Sequence, residues 1–92
     1  LLNNEFVHRQ AMDFARRLLA HATSPQTRIE SAYVQAFARL PSDAERANCA
    51  MFIDRYVTAL EAEGVPADRR DLEAWSGVTR ALLASNEFFY LD

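Results

Sequence analysis

The side chains best suited to chemistry in this 92-residue chain are two histidines, one cysteine and a loose group of carboxylates. His8 lies one turn into an amphipathic segment, at the edge of its apolar stripe. An imidazole there could serve as a general base or a ligand. A base needs a nucleophile or an orienting acid within hydrogen-bond reach, and none stands at recognisable spacing. His8 therefore reads as a rim residue, and His21, near a helix end, as a surface cation that complements the helix dipole. Cys49 falls in the centre of another apolar stripe. A reactive thiol needs exposure and positive neighbours, so Cys49 reads as a small buried hydrophobe. Glu61, Glu63, Asp68, Asp71 and Glu73 lack the ligand order of a calcium loop, and Arg69 and Arg70 interrupt them. With no H-E-x-x-H, no C-x-x-C-H and no Cys/His cluster, the sequence predicts no metal site, no haem attachment and no cofactor of its own.

Four helical segments must position these residues, and together they predict an all-α, compact four-helix domain with a short apolar C-terminal tail. The first covers about residues 5–22, with Asn3 or Asn4 as N-cap and Val7, Ala11, Phe14, Ala15 and Leu18 on one stripe. The second starts after Ser24-Pro25, with Thr27 and Glu30 as a competing capping box. It carries Ile29, Ala32, Tyr33, Ala36, Phe37 and Leu40 inward and stops near Leu40, ahead of Pro41. Ser42 and Glu45 form a capping box for the third, about residues 43–63, which turns Cys49, Phe52, Ile53, Tyr56, Val57 and Leu60 inward and ends at Gly64. Met51 is the one large apolar residue on its outer side. Asp68 or Asp71 caps the fourth, which buries Leu72, Trp75, Val78, Thr79, Leu82 and Leu83 and ends about residue 85. The tail Glu87-Phe88-Phe89-Tyr90-Leu91-Asp92 is expected to fold back on the bundle or to dock elsewhere.

Composition narrows the classes further. Half of the residues are hydrophobic and a quarter are charged, which suits one soluble globular domain and not a disordered chain or a membrane span. Two glycines are too few for an all-β domain. The short turn before Ser42 could join a helix-turn-helix, but the net charge of −3 and the acids Asp43 and Glu45 would repel phosphate, so no nucleic-acid partner is expected. Sixteen residues are alanine and all ten basic residues are arginine, without a basic cluster. These counts name no activity.

Three blocks of sequence do point to a family. Arg39-Leu40-Pro41-Ser42-Asp43-Ala44-Glu45 is similar to an R-x-P-S/T-x-x-E motif at a helix junction. Trp75 followed by Leu82-Leu83-Ala84-Ser85-Asn86-Glu87-Phe88 and the tail is similar to a W…LL-x-S-N-E-F ending, and Leu2-Asn3-Asn4-Glu5-Phe6-Val7 to an L-N-x-x-F-V opening. In this order, over nearly the whole chain, they resemble the C-terminal part of the planctomycete cytochrome-c-associated domain, the domain of unknown function numbered 1553. Two positions depart from the pattern. Ala38 stands where glycine commonly precedes the motif arginine, and Arg46 where an apolar residue usually follows the glutamate.

The resemblance implies the C-terminal domain of a larger, exported bacterial protein that commonly carries a cytochrome-c-like haem module upstream. It supplies no catalytic residues. The expectation is a non-catalytic structural or interaction module, located outside the cytoplasm and partnered by upstream domains, the haem-bearing one among the candidates. The alternative is one wall of an enzyme site completed upstream, with Glu87, Arg39 or His8 as polar contributors. The motif residues Arg39, Pro41, Ser42, Glu45, Trp75, Asn86, Glu87 and Phe88 are expected to be structural, with Arg39 or Glu87 anchoring the tail. A cleft converging on those polar groups would favour the enzyme; a packed core with an apolar face would favour the module.

Overall fold

The computed structural model describes residues 4–85, so the tail, with Asn86, Glu87 and Phe88, and the opening residues up to Asn3 lie outside the described residues. Those described form an all-α globule of four helices without strands: α1 (Asn4–His21), α2 (Pro25–Phe37), α3 (Asp43–Ala62) and α4 (Ala67–Leu83). The fourth is the hub. It packs against each of the other three, while α1 and α3 flank it without packing on one another. Phe14, Ala15 and Leu18 of α1 meet Ile29, Ala32 and Phe37 of α2 and Trp75, Val78 and Leu82 of α4 in one core.

Helix starts follow local chemistry, with two corrections. Ser24 caps α2, accepting from the Thr27 N–H at 3.1 Å with Pro25 first in the helix, so the competing Thr27–Glu30 box does not form. Ser42 and Glu45 make the reciprocal box on α3: the Glu45 N–H donates to Ser42 Oγ at 3.1 Å, and the Ser42 N–H to Glu45 Oε1 at 2.8 Å. In α1 Asn4 is already helical, and the alternative cap, Asn3, lies outside the described residues. Neither Asp68 nor Asp71 caps α4, which starts after Pro66 without a side-chain cap. Arg70 ties this corner instead, donating to the Val65 carbonyl at 2.8 Å and pairing with Glu61 at 3.3 Å.

The end of α2 is the largest local departure. The chain leaves the helix at Ala38, which takes left-handed backbone angles (φ 57°, ψ 31°) and donates its N–H to the Val34 carbonyl. That turn comes before Pro41 can act, so Leu40 is thrown off the apolar stripe and is 58% exposed. Left-handed geometry suits glycine and costs an alanine about 1 kcal/mol. The departure at Ala38 thus falls on a position whose backbone calls for glycine. After α3, Gly64 (φ 81°) takes the same role without that cost. The Val65 N–H reaches the Leu60 carbonyl and the Gly64 N–H the Glu61 carbonyl, closing the helix as expected.

Burial follows from the hub arrangement. Residues 74–79 of α4 are all buried, including the polar Ser76 and Thr79, because neighbours enclose that stretch on most sides. Thr79 donates to the Ala11 carbonyl at 2.7 Å across to α1, an approach made possible by Ala11 and Ala15, which carry no bulk at the contact. Ser76 donates to the Leu72 carbonyl at 2.6 Å. Packed by α2 and α4 alone, α3 lies at the edge. Only Cys49 and Leu60 of its six predicted inward residues are buried; Ile53, Tyr56 and Val57 are half-buried, and Phe52 is exposed.

Candidate functional site

The motif at the α2–α3 junction assembles as one unit. Arg39 meets Glu45 through two parallel bonds, Nη1 to Oε1 at 2.8 Å and Nη2 to Oε2 at 3.0 Å. Its guanidinium lies over the rings of Tyr33 and Phe37, 5.6 and 5.5 Å from their centroids. Pro41, between them, is buried. Arg39 and the Ser42 N–H hold the Glu45 carboxyl down to about 2 from its ordinary 4.5. Three hydrogen bonds engage its two oxygens and hold it ionised well below neutrality, which makes Glu45 a weak general base. The capping role of Ser42 and Glu45 was legible from spacing. The pairing of Arg39 with Glu45 was not, because the turn at Ala38 brings them together; the recurrence of both in one motif was the available signal.

The remaining candidates do not join this unit. Trp75 is a core anchor, 1% exposed, with the Arg28 guanidinium 5.9 Å from its ring centroid. Arg28 also donates to the Ala22 carbonyl at 2.9 Å, which closes the α1–α2 corner. Cys49 is 8% exposed, and burial pushes its thiol up to about 11, the reverse of an activated nucleophile. His8 sits at a small cleft of about 230 Å³ with Met12, Tyr56, Glu73, Ser76 and Arg80. Its Nδ1 is 3.5 Å from Arg80 Nη1, and the Ser76 hydroxyl that lines the cleft donates to the Leu72 carbonyl, with the Met12 sulfur also beside it. His21 is exposed. In the acidic group, Glu61 pairs with Arg70 and Glu73 with Arg69. Among the described residues no three His, Cys, Asp or Glu side chains are placed to hold a metal ion, and no helix is long and apolar enough to cross a membrane.

A wider concave surface lies elsewhere, along the edge helix. It is an open groove of about 620 Å³ on α3, with Met51, Phe52, Tyr56, Ala59 and Leu60 as its apolar part and Asn48, Arg55 and Glu63 as its polar members. Met51 and Phe52 are 47% and 42% exposed. Phe52 and Tyr56 lean edge to face, 5.5 Å between centroids, over Gly77 of α4. A Cβ at position 77 would meet those rings at 3.0–3.2 Å, so the glycine lets them lie down against α4. The sequence pattern singled out Met51 but placed Phe52 inside. Together they make the exposed apolar surface that the pattern of α3 concealed.

No family model, no curated protein and no solved structure matches the chain. The geometry alone therefore ranks the surfaces. At the motif junction Arg39 and Glu45 are bonded to one another, and the His8 cleft holds neither of them. The α3 groove offers apolar area to something outside the domain.

Proposed function

We propose that this domain acts by contact and not by catalysis, as a structural or docking module of a larger exported bacterial protein. Its partners in this reading are upstream domains of the same protein, including a haem-bearing module of the kind that the resemblance to the planctomycete cytochrome-c-associated domain implies. The observation that carries the reading is the α3 groove, where Met51 and Phe52 are both more than two-fifths exposed beside Tyr56 and Leu60. Adjacent large apolar side chains on one concave face favour association, because each covered Å² of apolar surface contributes about 25 cal/mol.

The polar chemistry supports the same reading. The motif residues with the best sites for protons or anions, Arg39 and Glu45, already satisfy one another at a helix junction. The test is Met51→Glu in the longer protein. The domain should keep its own melting temperature, because position 51 is exposed, while proteolytic release of the domain rises several-fold. Unchanged release would count against docking through α3.

A further inference from the structure

Resting on that reading, we propose that the groove takes one amphipathic helix, with a carboxylate facing Arg55 and a cation facing Glu63. The groove runs from Asn48 to Glu63, which at 1.5 Å per residue is about 22 Å, or four turns of a facing helix. Its apolar floor, from Met51 to Leu60, covers about 14 Å of that length, enough for the i, i+3, i+4, i+7 anchors of a helix laid lengthwise.

The charges choose the occupant's chemistry. Nine of the ten arginines have partners. Arg9, Arg16, Arg39, Arg46, Arg69 and Arg70 pair with acids. Arg17 lies over Phe14, Arg28 over Trp75, and Arg80 reaches His8. Among the described residues Arg55 alone has no hydrogen bond, ion pair or ring contact, and it lines the apolar groove. A guanidinium beside apolar walls matches a carboxylate held in a planar fork, with water partly excluded. Glu63, two turns further along the same groove, has no ion pair either among the described residues. An acid and a base two turns apart on the occupant would satisfy both and would fix the direction in which it lies.

The test is selection from a displayed library of helical peptides on the folded 92-residue chain, on R55E and on M51E. All substituted positions are exposed, so the variants retain the fold for comparison. The expected result is enrichment of amphipathic helices with an acid inside the apolar stripe. The best of them should bind R55E at least tenfold more weakly, regain affinity there when its acid becomes arginine, and fail on M51E. Absence of enrichment, enrichment without charge preference, or binding that survives M51E overturns the proposal. So does a dimer of the native chain in light scattering that M51E dissociates, which would make a second copy the occupant. If the charge preference fails while Met51→Glu still releases the domain from the longer protein, docking stands and only this assignment falls.

Discussion

Among single residues, Glu45 carries the clearest consequence. Its carboxyl is held down to about 2 from an ordinary 4.5, first by the Arg39 hydrogen bonds and then by the Ser42 N–H. A carboxyl lowered on folding contributes stability that is fully present above 4.5 and is lost as pH falls toward about 2. Both partners are about a third exposed, so solvent screens the pair. We expect Glu45→Gln, which keeps the capping acceptor and removes the charge paired with Arg39, to cost up to about 1 kcal/mol at neutral pH, the scale of a partly exposed ion pair, and to flatten part of the acid destabilisation. Melting curves of the two proteins across that acid range check it; curves that fall in parallel would contradict the assignment. Spacing alone made Ser42 and Glu45 legible as a cap and Cys49 as buried, because both depend on nearest neighbours along one helix. It could not assign Arg39, whose partner is six residues away across a reversal.

For the helices, the departures in burial share one cause: a pattern predicts which face is apolar, but not how many neighbours a helix will have. The apolar stripe of α4 was read correctly, yet residues 74–79 are buried all round because this helix is the hub. The stripe of α3 was read the same way, and Phe52 is exposed because this helix has neighbours on one side only. The end of α2 moved from Leu40 to Phe37 through left-handed backbone geometry at Ala38, which favours glycine. Ala38→Gly should therefore stabilise the domain by about 1 kcal/mol, raising the melting temperature by about 4–8 °C in a domain of this size. A melting temperature that falls would show that the left-handed turn is not formed in solution. The other departure, Arg46, pairs with Glu30 at 3.2 Å and ties α3 to α2, which accounts for a charged residue there.

Among the described residues all four helices contribute to one core, and Met51 and Phe52 lie exposed side by side on the edge helix. Four helices in an all-α domain could be read from the sequence. The groove could not, since it depends on Gly77 of α4 admitting the Phe52 and Tyr56 rings from α3. In the proposed function this edge is covered when the domain is in its working context. Oxidative footprinting of Met51, with half-buried Met12 as the internal reference, measures that directly. In the isolated chain Met51 should oxidise faster than Met12. Within the longer protein its rate should fall several-fold while that of Met12 stays the same; an undiminished Met51 rate there would contradict the claim.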